Sequence, residues 1–250
     1  MTKAGLWTGT ELRLWNLNAA NAAPESVLLP DGLSEEATPE LIAGTNALPR
    51  TLPCTALPDT LASGTIPPLT QATPLTVTLG EEVAVAGFIS LNPKFDGILC
   101  LPGAQSTLWA HVSAEEIVSM RRFLTGAMVA GALDAELTVA DEDAFKEALS
   151  DTMSRPENAA LKLASAQAEV SQNGMSQADA ASLASAALIG AELAATRAYW
   201  LGQSVALIGA AETCAPYRIA LDSQFVPLII ANENAMYRAG FQLAQDRITG

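Results

Sequence analysis

The segment VALIGAAETCAPYRIALDSQFVPLIIANENAMYRAGFQLAQ, residues 205–245, decides the fold class. Short apolar runs alternate in it with longer segments of helical periodicity. Such alternation is typical of a layered α/β unit in which part of the sheet is parallel. The segment predicts, in order, strand 205–208, helix 211–221, strand 225–230 and helix 234–245.

Ligands of such units bind at the carboxyl ends of the strands. The turn Gly209-Ala210-Ala211 and the turn Asn232-Glu233-Asn234 are therefore predicted rim positions. From spacing alone, ordinary strand-to-helix turns are the alternative for both.

Upstream, residues 97–200 indicate three strands followed by helices. Gly97 to Val112 predicts a hairpin, and a third strand precedes a helix that opens near Phe123. Ser176 and Asp179 have the spacing of a capping box for a long helix. The predicted strands are 98–101, 107–112 and 116–120, and the predicted helices are 123–133, 142–149, 159–170 and 176–200.

The N-terminal part changes in character after residue 15. Leu6 to Trp15 predicts two strands joined by a tight turn at Gly9. Nine prolines then fall between Pro24 and Pro74, where only 34–43 favours a short helix. This stretch is either an ordered meander pinned to a neighbour or a partly flexible one. Regular structure resumes with a strand from Leu75 and a helix near 80–88.

Composition excludes several classes of partner. The 27 acidic residues against 13 basic ones give a net charge of −14, which disfavours nucleic acid. The longest apolar stretch, 180–195, is interrupted by polar residues, so we expect no membrane span. The N-terminus lacks a secretory signal pattern, so we expect a cytoplasmic protein. Three widely spaced cysteines indicate reduced thiols, and they are Cys54, Cys100 and Cys214.

The chemistry-bearing residues are few. His111 is the single histidine, which excludes triad and multi-histidine metal sites, and we expect it to be structural or solvent-facing and not catalytic. Neither a Walker motif nor GxGxxG occurs. The turn Pro102-Gly103-Ala104-Gln105-Ser106-Thr107 could point N–H groups at an anion, or it could be an ordinary hairpin turn. Thr125-Gly126 opens a helix after Arg121 and Arg122, where a carboxylate or phosphate could bind, or the arginines could be solvated.

Five motifs in this order resemble the 2-dehydro-3-deoxygalactonokinase family: VTLGEEVAVAG (77–87), LPGAQSTLW (101–109), FLTGAM (123–128), ALIGAELAA (187–195) and VALIGAAETCAPY (205–217). The resemblance covers residues 80 to the C-terminus well and the first fifteen residues weakly. It implies an actin/hexokinase-like (ribonuclease H-like) kinase scaffold of two domains, 1–94 and 95–250, with a shortened N-terminal domain. It also implies MgATP-dependent phosphorylation of 2-dehydro-3-deoxygalactonate at the 6-hydroxyl.

The resemblance assigns roles to residues of this chain. It places Glu81, Glu82 and Arg13 in the catalytic machinery, and Arg121, Thr125 and Gly126 at the sugar acid. ATP and Mg²⁺ are the implied cofactors, no dedicated metal-ligand set is assigned, and a homodimer is an open alternative to a monomer. The implied phosphate and nucleotide residues are Thr8, Gly9, Thr10, Gly103, Gln105, Ser106, Gly209, Ala210 and Ala211.

Departures from the family pattern cluster at these positions. Leu6-Trp7-Thr8-Gly9 stands where the family has an Asp-Trp-Gly-Thr strand end, so the carboxylate expected to organise Mg²⁺ is absent. Gln105 and Thr107 stand where the family carries His and Lys, Ala127 replaces a Glu, and Leu79 replaces an Arg. Two interpretations follow: a sugar-acid kinase, in which Glu81 or Glu82 could supply the metal carboxylate, or a catalytically degenerate member that serves as a ligand-binding or partner subunit. An alanine-rich helical interaction protein without a ligand is a third class.

Overall fold

The computed structural model describes residues 3–19 and 22–248. Contacts divide these residues into two compact units. Unit 1 comprises the described residues up to 96, residues 111–120 and residues 231–248, whereas unit 2 comprises 97–110 and 121–230. The domain division expected at 94/95 stays a prediction, and the units differ from it in grouping 111–120 and 231–248 with the N-terminal residues.

In chain order the elements are β1 (Lys3–Trp7), β2 (Glu11–Asn16), β3 (Glu25–Leu28), β4 (Leu41–Ala43), β5 (Arg50–Thr51), β6 (Cys54–Thr55), β7 (Leu69–Ala72), β8 (Leu75–Val77), α1 (Glu81–Leu91), β9 (Gly97–Pro102), β10 (Thr107–Ser113), β11 (Glu116–Phe123), α2 (Thr125–Leu133), α3 (Glu142–Ser154), a 3₁₀ turn (Pro156–Asn158), α4 (Ala159–Asn173), α5 (Gln177–Ala195), α6 (Arg197–Trp200), β12 (Val205–Gly209), α7 (Ala211–Asp222), β13 (Leu228–Asn232) and α8 (Glu233–Asp246).

Unit 1 contains a four-stranded sheet of order β3-β2-β1-β4. The predicted hairpin is confirmed, since β1 and β2 are antiparallel with Leu6 opposite Arg13. Gly9 in its turn has φ +97°, a conformation that favours glycine. Strand β4 runs parallel to β1, with Gly5 opposite Ile42. The carboxyl ends of β1 and β4 therefore lie at the same edge of the sheet.

Helices α1 and α8 cover this sheet through a close contact and an aromatic cluster. A Cβ on Gly87 would lie 1.9 Å from the Met236 carbonyl oxygen, and one on Gly240 would lie 1.9 Å from that of Val83. Only glycines allow the two backbones to approach this closely. Trp15 packs on Tyr237 and Phe241 with ring centroids 5.3 and 5.4 Å away, which fixes α8 on β2.

The proline-rich stretch is an ordered meander of short strands within unit 1. The Gln71 side-chain amide pairs with the backbone of Met120 as a strand would, at 2.8 and 3.0 Å. Arg247 donates to the carbonyls of Leu57 and Pro58, which ties the meander to the chain after α8. Of the two alternatives, the pinned meander is confirmed.

The short helix predicted at 34–43 is wrong. Residues 35–37 form a turn, and Leu41–Ala43 form the buried strand β4. Pro39 explains the difference, because it lacks an N–H donor and disfavours helical backbone at the preceding residue.

A six-stranded sheet has the order β13-β12-β9-β10-β11-β6. The predicted succession of three strands and a helix, β9-β10-β11-α2, is confirmed, although the helix begins at Thr125 and not at Phe123. Strand β12 runs parallel to β9, with Leu207 opposite Cys100, as the alternating pattern predicts. The last strand begins at Leu228 and not at Phe225, because a turn precedes it in which Phe225 has φ +56°.

Helix α5 is the core helix of unit 2. It packs against α3, α4 and α2, and a Cβ on Gly190 would lie 2.5 Å from the Leu149 carbonyl oxygen. The capping box is confirmed, since Ser176 Oγ accepts from the Asp179 N–H at 3.1 Å. The predicted helix 176–200 divides at Thr196, whose hydroxyl donates to the Glu192 carbonyl. Among the described helices only α5 is long and apolar enough to cross a membrane, and 67% of its apolar window is buried inside the protein.

Candidate functional site

Three segments of unit 2 meet at the carboxyl ends of β9 and β12. These parallel strands end side by side, so the turn after β9 lies beside the start of α7. Thr213 Oγ1 donates to the Pro102 carbonyl at 2.9 Å, and a Cβ on Gly209 would lie 2.8 Å from the same oxygen. The predicted rim residues Gly209, Ala210 and Ala211 therefore border the predicted turn at 102–106.

The start of α2 is the third segment. Ala127 N–H donates to the Gln105 carbonyl at 2.8 Å, and a Cβ on Gly126 would lie 2.1 Å from the Ala104 carbonyl oxygen. The turn is closed by a hydrogen bond from Gly103 N–H to the Ser106 carbonyl at 2.9 Å. We call these three segments, residues 102–107, 125–127 and 209–213, the unit-2 rim.

The unit-2 rim offers backbone donors. Helices α2 and α7 begin there, and neither cap residue, Leu124 or Ala210, accepts a capping hydrogen bond with its side chain. Among the described residues, the N–H groups of Ala104 and Gln105 have no hydrogen-bond acceptor. First-turn N–H groups and the positive end of the helix dipole attract anions. The rim therefore has the character of an anion site.

The two arginines before α2 have different positions. Arg122 Nη1 donates to Ser106 Oγ at 2.7 Å, which brings its guanidinium to the rim. Arg121 donates instead to the Ala195 carbonyl at 3.2 Å and stacks on Tyr199, 5.4 Å from the ring centroid. The sugar-acid role assigned to Arg121 stays a prediction, and Arg122, to which the family resemblance gave no role, is the guanidinium that contacts the turn.

A buried carboxylate lies behind the rim. Glu192 of α5 accepts from Trp109 Nε1 at 2.6 Å, from Tyr217 Oη at 2.9 Å and from Thr125 Oγ1. Tyr217 Oη in turn lies 2.5 Å from Thr107 Oγ1. Burial raises the pKa of Glu192 to about 7, against the opposing effect of the three hydrogen bonds. The same burial, with the nearby Glu192 charge, raises the pKa of Tyr217.

Six predicted site residues belong to unit 1. The turn Thr8-Gly9-Thr10 follows β1 at the edge where β4 also ends, and a Cβ on Gly44 would lie 2.1 Å from the Trp7 carbonyl oxygen and 3.2 Å from that of Leu79. This edge therefore brings the turn near the start of α1. The Thr8 N–H and hydroxyl both donate to the Glu11 carbonyl, at 3.0 and 3.1 Å.

Arg13 is engaged by acidic and amide groups of α8. Its two Nη atoms donate to the two carboxylate oxygens of Glu233, each at 3.1 Å, and Nη2 also donates to Asn234 Oδ1 at 3.1 Å. Burial opposes its charge, but the hydrogen bond and charge of Glu233 outweigh it, so the pKa of Arg13 is raised. A bidentate pair of this kind occupies the face that would otherwise bind a phosphate.

The two carboxylates of the Gly-Glu-Glu motif fold back on the start of α1. Glu81 accepts from the Leu79 N–H at 2.5 Å and Glu82 from the Gly80 N–H at 3.2 Å. Glu82 is fully buried, its Oε1 has no hydrogen-bond partner among the described residues, and burial raises its pKa to about 7. A carboxyl without solvent access, whose pKa is raised by burial, is a poor ligand for a hard cation.

Within residues 3–19 and 22–248 no group of three or more His, Cys, Asp or Glu side chains is arranged to hold a metal ion. Cys100 and Cys214 are buried in the core of unit 2, Cys54 is half-buried, and all three are free cysteines.

Solved structures share this fold. A candidate 2-dehydro-3-deoxygalactonokinase from Sinorhizobium meliloti matches with a TM-score of 0.76 over 98% of both chains, at 22% identity. An activator of 2-hydroxyisocaproyl-CoA dehydratase from Clostridium difficile, solved with bound ADPNP, matches with a TM-score of 0.51 over 98% of this chain and 96% of that one, at 8% identity. The class is therefore that of mixed α/β proteins with the actin-like ATPase fold, as expected.

Sequence comparison narrows this class. Residues 37–244 match the family described as 2-keto-3-deoxy-galactonokinase, and the chain belongs to that family. Its motifs had predicted this membership. The "Probable 2-dehydro-3-deoxygalactonokinase DgoK1" of Rhizobium meliloti (strain 1021) is 27% identical over 179 residues. The matched region is 67% of this chain and 58% of that relative, so the chain spans just over half the length of the relative.

Proposed function

We propose that this protein binds ATP through the unit-2 rim and phosphorylates 2-dehydro-3-deoxy-D-galactonate to its 6-phosphate at a low rate. The observation that carries the proposal is the convergence of a glycine turn with the uncapped starts of α2 and α7. Membership of a kinase family supports the choice of a nucleoside triphosphate and a sugar acid as ligands. The reaction is expected in the cytoplasm, by a monomer or a homodimer.

The unit-2 rim residues have separate roles in this proposal. The N–H groups of Ala104 and Gln105 and those opening α7 at Ala211 bind phosphate oxygens, while Gly103 and Gly209 keep side chains out of the way. Arg122, held against Ser106, adds a positive charge. Thr125 and Gly126 are proposed to face the sugar acid with their backbone only, because the Thr125 hydroxyl donates inward to Glu192. Arg121 is the proposed carboxylate partner of the sugar acid from the end of β11.

The family resemblance also predicts phosphate-binding and catalytic roles for the unit-1 residues, but their present contacts limit them. Thr8, Gly9 and Thr10 offer a short turn, and Arg13 must leave Glu233 before it can bind phosphate. Mg²⁺ neutralises the phosphate chain of ATP in kinases. The residues described do not fit this ion, because Glu82 is buried with a raised pKa and Glu81 is bound to the Leu79 N–H.

A second candidate is a catalytically degenerate subunit that binds a nucleotide or sugar acid without turnover. The bidentate Arg13–Glu233 pair and the burial of Glu82 favour this candidate, because both leave a charged group unavailable for catalysis. Removal of a preorganised charge contact costs about 10²-fold to 10³-fold in rate, so the loss of several could abolish turnover.

A coupled assay of ADP release distinguishes the two. With ATP and 2-dehydro-3-deoxygalactonate we expect slow ADP formation that stops when the sugar acid is omitted. ATP binding in calorimetry without any sugar-dependent ADP would support the degenerate subunit. Failure of both ATP and 2-dehydro-3-deoxygalactonate to bind at millimolar concentration would reject both candidates.

A further inference from the structure

The unit-2 rim is connected through side chains to one point in the core. Thr107 ends the turn 102–107, Thr125 is the first residue of α2, and Tyr217 lies in α7 behind the turn at 209–211. Each reaches the Glu192 carboxylate either directly or through one hydroxyl. Thr107, Thr125, Tyr217 and Glu192 are at most 3% exposed, so water does not compete for these hydrogen bonds.

The donors can be assigned from the acceptors. Trp109 Nε1 can only donate, so Glu192 Oε1 must accept. If Glu192 is ionised, Tyr217 donates its single proton to Oε2, and Thr107 must then donate to Tyr217 Oη. Thr125 also donates inward, to Oε2. One carboxylate thus sets the direction of the hydroxyl protons of Thr107, Thr125 and Tyr217.

We propose that Glu192 is a positioning residue of the unit-2 rim, which holds the turn 102–107, the start of α2 and the start of α7 in register through Thr107, Thr125 and Tyr217. The effect of Glu192 on ligand binding rests on the proposed function, whereas its effect on the structure of the ligand-free rim does not.

Protonation of Glu192 should change the hydrogen bonding of the unit-2 rim. A protonated carboxyl donates to one hydroxyl, and that hydroxyl must turn its own proton elsewhere, so the direction of the chain reverses. The titratable groups facing Glu192 from its neighbours are Cys100 of β9 and Tyr217 of α7, and Arg121 contacts the end of α5 at Ala195. The charged residues of the other elements packed on α5, which are α3, the 3₁₀ turn, α4, α6 and α7, are half-buried or exposed: Glu142, Asp143, Lys146, Glu147, Asp151, Glu157, Lys162, Glu169, Arg197, Glu212, Arg218 and Asp222.

Backbone amide NMR of the ligand-free protein tests the proposal. In the wild type, the Trp109 indole and the amides of the unit-2 rim should titrate together with a midpoint of about 7. Glu192→Gln preserves shape, but its amide nitrogen donates toward Thr125 and Tyr217 and reverses their hydroxyls. We expect this variant to abolish the titration and to shift amides in all three rim segments. Glu147→Gln, an exposed acid of α3, is the matched control and should leave both unchanged.

A second variant divides the network. Tyr217→Phe keeps the carboxylate and the Thr125 bond but cuts the connection to Thr107, so amides of the turn 102–107 should shift while those of 125–127 keep their titration. A purely structural Glu192 would instead lower the melting temperature and perturb only Trp109, Thr125 and Tyr217. That result, or rim amides that titrate unchanged in Glu192→Gln, would overturn the proposal.

Calorimetry with ATP then separates this inference from the proposed function. If the wild type binds ATP, Glu192→Gln should weaken binding about tenfold, the effect of about one net hydrogen bond, and Glu147→Gln should not. Equal affinity of Glu192→Gln and wild type would count against positioning. If the wild type does not bind ATP, the proposed function fails, and the NMR titration still decides the role of Glu192.

Discussion

Gly126 determines how closely α2 approaches the turn 102–107. It is buried, and any side chain would meet the Ala104 carbonyl oxygen at 2.1 Å. Gly131, five residues further along the same helix, has no atom within 4 Å of an added Cβ. Substitutions at these two glycines therefore distinguish the effect of helix propensity from the effect of packing within one helix.

We expect opposite effects from the two alanine substitutions. Gly126→Ala should lower the free energy of unfolding by about 1–3 kcal/mol, because the turn or the helix must move. Gly131→Ala should raise it by about 0.5–1 kcal/mol, because alanine restricts the unfolded chain and favours helix. Urea unfolding measures both. Equal stability of the two variants would show that the close approach at Gly126 is absent.

Glu82 predicts a distinctive dependence of stability on pH. Its pKa rises from an ordinary value of 4.5 to about 7 in the folded protein, so the folded state holds a proton that the unfolded state releases. Its contribution is therefore neutral below pH 4.5, becomes steadily more destabilising between pH 4.5 and 7, and stays constant at higher pH. Relative to the wild type, Glu82→Gln should gain up to about 3 kcal/mol between pH 5 and pH 8.

Denaturant unfolding at several pH values measures this gain. Glu36→Gln, an exposed acid of the same unit, is the control and should follow the wild type at each pH. A Glu82→Gln curve parallel to that of the wild type would contradict a carboxyl whose pKa is raised by burial.

For single residues, the sequence predicted where a residue lies better than it predicted which residues it contacts. Gly103, Gly126 and Gly209 could be predicted as site residues, because a glycine at the end of a strand or the start of a helix usually serves a turn or a close backbone approach. Glu192 received no role, although one acid in the otherwise uncharged run 180–195 was a visible signal. The pairing of Arg13 with Glu233 joins residues 220 positions apart, which no local pattern encodes.

Among the elements, the contact between α1 and α8 has the greatest consequence for unit 1. The helices touch through Gly87 and Gly240, and α8 also supplies Tyr237 and Phe241 to the cluster around Trp15. Helix α8 thus completes the core under the hairpin β1–β2.

Gly240→Ala should destabilise unit 1 by about 3 kcal/mol, because its Cβ would lie 1.9 Å from the Val83 carbonyl oxygen. Hydrogen exchange should show faster exchange of the amides of α1, α8 and β2, while those of α5 keep their protection. Gly131→Ala, where the added methyl has open space, is the control. Unchanged protection of α1 in Gly240→Ala would refute the close contact.

Helices and strands after residue 75 followed the sequence closely, because periodicity and capping are local signals. The helix predicted at 34–43 failed because of Pro39 and because β4 pairs with β1 in parallel. The continuous helix predicted at 176–200 failed because it divides at Thr196. The packing of the proline-rich meander depends on Gln71, Arg247 and their distant carbonyl partners, which only the folded chain brings together.

For the whole molecule, the net charge and the backbone N–H donors of the unit-2 rim together predict how strongly a nucleotide binds. A net charge of −14 repels ATP, so the proposed ATP binding must depend on backbone N–H groups and on few cations. The carboxylates that could hold Mg²⁺ are buried or bound to the backbone. Weak ATP binding with little dependence on Mg²⁺ should therefore accompany slow or absent turnover.

The most direct test is an amide NMR titration with ATP, with and without Mg²⁺, in the wild type, Arg122→Gln and the exposed control Arg155→Gln. We predict shifts concentrated at 103–107, 125–127 and 209–213, an affinity that changes less than about threefold when Mg²⁺ is removed, and weaker binding in Arg122→Gln alone. Tight binding that requires Mg²⁺, or shifts that leave these residues unaffected, would contradict the assignment of the phosphate site to the unit-2 rim.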